Sequence, residues 1–401
     1  TRWISTKYLK PGERVMTCDF VKDLSRLRKQ SLEAVENTEK FDEFKKYMHV
    51  TRPVEADLKK LLRRIKESSS RKCLVLLCGS AGDGKSHLIS YLKNCDIEGI
   101  LDEYYLYNDA TESIAPTLTS IDTLTEKLAM FNDENLQNDD KTKMILAINL
   151  GTLNNFIESE KGKKFTELRK YIERKNIFLA DVYKDSFEEK SNFQYISFAD
   201  YQLFTLKKDG IGTEYLENIF EKVFKKDSNN PFYNSYLKNK GCNFCALCPV
   251  RHNYEFLCEK KNQKVIIKHL TEVVIKNKTI LSTRDIFNFI YDILVSSDFD
   301  DKVFFSDMSN KTKYFTDYIS ATTPMLLYEY KDISALINVI KNYDPLKTRS
   351  EAIDLKATIF HTIDDIRKEF EDATNGTPYS KLCDFDDILK LGSIKDELKR
   401  D

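Results

Sequence analysis

Residues 73–86 constrain the fold of this chain more than any other segment. Cys73-Leu74-Val75-Leu76-Leu77-Cys78 is an unbroken apolar run of strand length, and it leads directly into Gly79-Ser80-Ala81-Gly82-Asp83-Gly84-Lys85-Ser86. A strand that is apolar at every position has to be covered on both faces, as the inner strands of parallel sheets are. His87-Leu88-Ile89 and Tyr91-Leu92 then continue with helical character. Strand, glycine loop and helix in this order form the P-loop pattern. Glycines at 79, 82 and 84 let main-chain amides curl around a β-phosphate without side-chain bulk. The helix that follows adds the positive end of its dipole, Lys85 reaches the β- and γ-phosphates, and the Ser86 hydroxyl coordinates magnesium. Gly79, Gly82, Asp83, Gly84, Lys85, Ser86 and His87 are therefore the expected contacts for ATP with Mg2+. The competing reading, an incidental glycine turn, lacks a reason for the strand before it and the helix after it.

The segments that follow keep alternating. Tyr104-Tyr105-Leu106-Tyr107 predicts a second strand, and Ile121, Leu124, Leu128 and Phe131 a helix. Met144-Ile145-Leu146-Ala147-Ile148 predicts a third strand, with a helix from near Thr152, and Phe193 to Phe198 a fourth. Leu216, Ile219, Phe220, Val223 and Phe224 share one helical face. Such alternation implies an α/β fold: a P-loop NTPase parallel sheet with helices on both faces and a ligand site at the carboxyl ends of the strands. Further on, Ser282 and Asp285 form a capping-box pattern ahead of an apolar stripe at Ile286, Phe289, Ile290, Ile293 and Leu294. The expected organisation is an N-terminal extension over 1–50, a nucleotide-binding domain over 51–235, a cysteine-rich metal-binding-type insertion over 236–260, and a mainly helical, lid-like domain over 261–401.

Hydrolysis needs an acid beside the magnesium and a group that orients water. The third strand ends in Asn149-Leu150-Gly151 rather than in a carboxylate, whereas the second leads to Asp109, with Glu112 three residues on. Asp109 is the expected magnesium-side acid, Glu112 the water-orienting base, and Asn149 a polar sensor of the γ-phosphate. Capping of the following turn is an equally simple role for Asp109 and Glu112. Arg284, in the first turn of its helix, is expected to fold back onto the γ-phosphate, the alternative being an ordinary surface arginine.

The chain holds nine cysteines, an odd number, and four of them fall within residues 242–258. Cys242-x2-Cys245-x2-Cys248-Pro249 followed by Cys258 has the spacing of a zinc site, with His252 as a substitute ligand. An iron–sulfur cluster and reduced cysteines packed around Phe244, Leu247 and Phe256 are the other readings. A disulfide scaffold is disfavoured by this clustering.

Charge narrows the partners. Lys plus Arg number 63 against 64 Asp plus Glu, so no global field advertises nucleic acid. Lys59-Lys60, Arg63-Arg64 and Lys66 form the densest basic stretch, either a local patch or a solvated helix face. No run approaches the roughly 18 to 20 apolar residues of a membrane span, which points to a cytoplasmic protein. The five histidines form no zincin pattern, no Gly-x-Ser-x-Gly elbow occurs, and no kinase signature accompanies the P-loop.

Beyond the P-loop, several blocks resemble the DNA phosphorothioation-dependent restriction protein DptF family. They are Leu77 to Leu88, Tyr107-Asn108-Asp109-Ala110-Thr111-Glu112-Ser113, Ser120-Ile121-Asp122-Thr123-Leu124 and Ile145 to Gly151. The likeness continues in Cys245-x2-Cys248-Pro249, in Leu281-Ser282-Thr283-Arg284 with Asn288 to Asp292, and in Asp344-Pro345-Leu346-Lys347-x-Arg349-Ser350-Glu351. It spans roughly residues 70 to 355 and fades afterwards. The resemblance implies an ATP-binding subunit of a bacterial restriction complex, acting with DptG and DptH against DNA that lacks backbone sulfur, with any DNA cutting done elsewhere. DNA would be met directly or through those partners, and a homo-oligomer is compatible with this reading. The first expectation is thus an ATPase. The alternatives are a nucleotide-binding assembly module that recruits a nuclease or helicase without turnover, and a small-molecule phosphotransferase, whose chemistry needs less chain than this.

Overall fold

The structure, a computed structural model, describes residues 18–28, 42–68, 72–108, 119–138, 141–179, 187–201, 203–208, 210–242, 244–277, 281–297, 299–305, 310–328, 336–337, 340 and 367–384. The chain divides into two compact units. One comprises Gln30–Ile219 with Leu281–Arg284, and the other Thr1–Lys29, Phe220–Ile280 and Asp285–Asp401. Within the stretch 1–50, the described residues 18–28 fall in the second of these units and 42–50 in the first.

The first unit is α/β, as expected. Strands β1 (Cys73–Gly79), β2 (Tyr104–Asn108), β3 (Lys143–Asn149) and β4 (Phe193–Ser197) form a parallel sheet in the order β2-β3-β1-β4. Every residue of β1 is buried, which is what its unbroken apolar run requires. Alternate side chains feed two separate cores. Leu74, Leu76 and Cys78 join Met144, Leu146 and Ile148 under the helices Leu150–Glu158 and Thr166–Lys175. Val75, Leu77, Ile145 and Ala147 join Leu58, Leu62 and Ile65 of the helix Pro53–Ser68 and Leu88, Ile89 and Leu92 of the helix Lys85–Cys95. Each buried Val, Leu, Ile or Met side chain among these contributes about 1.5–3 kcal/mol, so this two-sided packing dominates the stability of the sheet.

Connectivity positions the site. The chain leaves β1 for the outer strand β2, returns to β3, and then crosses β1 to form β4 on its far side. Connections from β1 and β3 therefore run in opposite directions, which opens a crevice at the carboxyl end of β1. A short hairpin, β5 (Thr205–Lys207) with β6 (Gly210–Gly212), was not expected from the pattern and sets Leu206 opposite Ile211.

The second unit is helical among the described residues. Its N-terminal helix Asp19–Leu24 inserts Phe20 against Tyr236 and Tyr254, with ring centroids 6.0 and 5.3 Å apart. Asn253 is buried at the junction of four segments. Its Nδ2 donates to Leu294 O (3.0 Å) and Ala321 O (2.8 Å), and its Oδ1 accepts from Thr323 N and the Tyr379 hydroxyl, both at 2.9 Å. Asp292, fully buried, pairs with Arg28. No helix among the described residues is long and apolar enough to cross a membrane.

Candidate functional site

The loop after β1 is built from backbone conformations that only glycine adopts freely. Gly82 has φ +87° and Gly84 φ +95°, both left-handed. Gly84 is the N-cap of the helix Lys85–Cys95 and has no side chain with which to cap it. The first-turn amides of that helix are left for water or an anion, and the dipole favours the anion.

Cations hold the loop from outside. Lys85 Nζ donates to the carbonyls of Gly79 (3.0 Å) and Ser80 (2.7 Å). Arg52 Nη1 donates to Asp83 O at 2.9 Å, while its guanidinium lies over the rings of Phe198 and Tyr215, 4.8 and 4.9 Å from their centroids. Three carbonyls of the loop are thus engaged by positive charge. Within the loop, Ser80 N–H donates to Asp83 Oδ2 at 2.6 Å, so Asp83 braces the turn. A Cβ added at Gly79 would lie 2.9 Å from that same oxygen and 3.1 Å from Phe198 Cβ, which explains why this position has no side chain.

A segment remote in sequence closes one side. A Cβ at Gly82 would meet Ser282 Oγ at 2.9 Å, Ser282 Cβ at 3.1 Å and Arg284 Cβ at 3.3 Å, and the Gly84 position faces Thr283 Oγ1 at 3.9 Å. Thr283 Oγ1 also shares a 2.8 Å hydrogen bond with the Tyr215 hydroxyl. The Cβ of Arg284 therefore lies beside Gly82. Gly82→Ala should lower stability by about 1–3 kcal/mol, because the left-handed backbone disfavours a side chain and Ser282 has to move. Denaturant titration measures this, and a cost below a few tenths of a kcal/mol would contradict the packing.

Asn149 lies beside the loop, its Cα register partner being Gly79 itself. It is the N-cap of the helix Leu150–Glu158, its Oδ1 accepting from Gly151 N at 2.8 Å. That bond engages the acceptor end of the side chain, whose Nδ2 end is a donor. Strand β2 stops at Asn108, the register partner of Ala147, so it ends one strand further out from β1. Asp109 and Glu112 lie outside the described residues, as does the block Asp344 to Glu351.

His87 extends the site into a polar cluster that sequence reading missed. Its Nε2 lies 3.1 Å from His49 Nδ1, His49 Nε2 lies 2.9 Å from Glu55 Oε2, and Tyr91 stacks on His49 at 3.5 Å. Burial, with His49 and Lys45 nearby, holds His87 down at about 4 from an ordinary 6.5. Between those values the unfolded chain binds a proton that the folded chain refuses. This contribution to stability is complete above about pH 6.5 and is lost as pH falls towards 4, on the order of 1 kcal/mol after solvent screening. Thermal melts from pH 7 to pH 5 should show that slope in the parent and a flatter one in His87→Asn.

The basic stretch of the helix Pro53–Ser68 resolves as a paired surface. Arg63 makes a two-pronged contact with Glu98 (2.9 and 2.8 Å), Lys59 meets Glu55 at 3.0 Å, Lys66 lies 4.0 Å from Glu103, and Arg64 lies over Phe187.

Protein-family models, curated proteins and solved structures offer no match to this chain. Arg52, His49 and Tyr215 are the residues that sequence reading did not single out. Only an arginine preceding a proline and a histidine three residues before it, Val50 and Thr51 between, could have hinted at them.

The four cysteines of residues 242–258 belong to the helical unit. All nine in the chain are free thiols. Among the described residues, no three His, Cys, Asp or Glu side chains stand close enough to hold a metal ion. Cys248 and Cys258 flank the helix Pro249–Leu257 as its N-cap and C-cap. Nine residues of helix span about 13 Å, whereas two sulfurs on one tetrahedral zinc are about 3.8 Å apart. The expected set Cys242, Cys245, Cys248 and Cys258 therefore cannot close on one ion. His252 is also diverted: its Nδ1 is hydrogen-bonded to the Tyr318 hydroxyl in the core.

Proposed function

We propose that this chain binds a nucleoside triphosphate, ATP, with Mg2+ at Gly79–Ser86, and that it hydrolyses it as a P-loop ATPase subunit of a bacterial phosphorothioation-dependent restriction complex. The observation that carries the reading is the packing of Ser282 and Arg284 against Gly82. A glycine loop that merely turned the chain would have no use for an arginine brought from two hundred residues away. In the proposed complex the loop amides hold the β-phosphate, Lys85 turns from its carbonyls to the β- and γ-oxygens, Ser86 holds magnesium, and Arg284 neutralises charge on the γ-phosphate. The Asn149 amide donates to the same phosphate. Asp109 and Glu112 keep their proposed roles as magnesium-side acid and water-orienting base. The restriction context, with DptG and DptH as partners, rests on the resemblance in the blocks described above.

The test separates binding from turnover. Arg284→Ala should bind ATP within about threefold of the parent and lose at least about tenfold in hydrolysis, measured with Mg2+ and, where needed, with both partners and unmodified DNA. An unchanged turnover removes Arg284 from the mechanism. A second reading, a nucleotide-binding assembly module without hydrolysis, is favoured by the amide that ends β3 where a carboxylate would serve catalysis. Tight binding with no turnover under every one of these conditions selects it.

A further inference from the structure

Arg52 reaches the glycine loop from a rigid base. It immediately precedes the helix Pro53–Ser68, and its carbonyl accepts from Glu55 N at 2.9 Å. Leu58, Leu62 and Ile65 of that helix share a core with Val75 and Leu77 of β1. Three residues before Arg52, His49 meets His87 of the helix after the loop at 3.1 Å. The stretch 49–52 thus holds both the loop and the first turn of its helix. Two rings fix the guanidinium, Phe198 just after β4 and Tyr215, at 4.8 and 4.9 Å, and from there it donates to Asp83 O at 2.9 Å.

That carbonyl shares a peptide unit with the Gly84 amide. The unit is planar and trans, so its C=O and N–H point in opposite directions. Pinning the oxygen on Arg52 therefore sets where the Gly84 N–H points. Glycine, here at φ +95°, lets such a peptide reorient cheaply, so its direction has to be imposed by a neighbour. A positive charge on the carbonyl also polarises the unit and strengthens its N–H as a donor.

The contacts continue around the loop. The Tyr215 hydroxyl shares a 2.8 Å hydrogen bond with Thr283 Oγ1, and Thr283 stands between Ser282 and Arg284, the residues packed against Gly82. All of these residues belong to one compact unit. A closed ring therefore runs from Asp83 through Arg52, Tyr215 and Thr283 back to the loop.

We propose that Arg52 is a positioning residue for the nucleotide. Clamped by Phe198 and Tyr215, it aims the Gly84 amide at the β-phosphate, and through Tyr215 and Thr283 it ties that amide to the segment carrying Arg284. This rests on the glycine loop being the phosphate site. Lys85 gives up its two carbonyls when the loop fills, whereas Arg52 keeps its own, so the aim of the amide is the same in the empty and the filled loop.

The full chain is titrated calorimetrically with ADP and with ATP, each with Mg2+. Arg52→Gln keeps a planar end without the charge. It should weaken both nucleotides by the same factor, about tenfold, because both carry a β-phosphate and one amide bond to an anion is lost. Hydrogen exchange is the second measurement, on Tyr215→Phe, which removes one oxygen and leaves the ring beside the guanidinium. In the parent, saturating ADP should slow exchange at least about threefold in peptides carrying residues 80–86 and in those carrying 281–284. In Tyr215→Phe only the first should respond. Equal ADP affinity in Arg52→Gln and the parent overturns the proposal, as does a loss confined to ATP, which would put Arg52 on the γ-phosphate. A response at 281–284 that survives in Tyr215→Phe overturns the tie. A parent that binds neither nucleotide fails the phosphate-site reading itself, and the proposal falls with it.

Discussion

Lys85→Ala is expected to weaken ATP binding by at least about 100-fold and to abolish hydrolysis, while leaving the fold standing. The Lys85 ammonium donates to the carbonyls of Gly79 and Ser80 and sits at the mouth of a loop whose helix N-terminus has no side-chain cap. Bound nucleotide would exchange those two neutral acceptors for charged phosphate oxygens. Hydrogen bonds between charged partners are worth about 1.5–3 kcal/mol each, so losing two of them costs about 3 kcal/mol or more, a factor of about 100 in affinity. Stability should change by less than about 1 kcal/mol, because Lys85 is only half-buried and water can reach the carbonyls it leaves. Calorimetric titration with millimolar ATP and Mg2+, beside a denaturation curve, reads both effects. If the variant bound and turned over ATP like the parent, the loop would not be the phosphate site.

The second large effect belongs to the helical unit and to its stability. Asn253→Leu should cost about 3–5 kcal/mol. The buried amide donates to Leu294 O and Ala321 O and accepts from Thr323 N and Tyr379 OH, so it uses both donors and both acceptor positions. Leucine has a similar volume and none of these bonds. The cost is therefore not a cavity but a set of polar groups stranded in a site without water, at about 1–3 kcal/mol each, softened by relaxation. Asn253→Asp should also destabilise, since a carboxylate can only accept while two of the four partners are carbonyls. Chemical denaturation measures the midpoint shift, and a loss under about 1 kcal/mol for the leucine variant would mean that the four partners find other bonds.

These two residues differ in how visible they are before folding. Lys85 stands in a motif whose meaning depends on its immediate neighbours, whereas nothing around Asn253 distinguishes it from the exposed asparagines of the same chain. Cys258 teaches the same lesson in reverse. Spacing alone put it with Cys242, Cys245 and Cys248, but residues 249–257 coil into a helix that carries it away. The basic stretch at Lys59 to Lys66 looks like a patch only while Glu98 and Glu103 are distant in sequence. The hairpin at Thr205–Lys207 and Gly210–Gly212 escaped notice because three-residue strands are too short to show a period.

Strand β1, the left-handed glycines and the helix Lys85–Cys95 were determined by the residues of 73–95 themselves. Apolar periodicity, the steric freedom of glycine and helix propensity are local properties, written within a few positions of where they act. The alternation that makes the sheet parallel was legible for the same reason. Folding alone decided that Arg284 reaches Gly82, that Arg52 grips the carbonyl of Asp83, and that Cys18 lies against Asn239. Each of these joins positions more than thirty residues apart. Such pairings are selected by the packing of whole elements against one another, and no run of neighbouring residues records them.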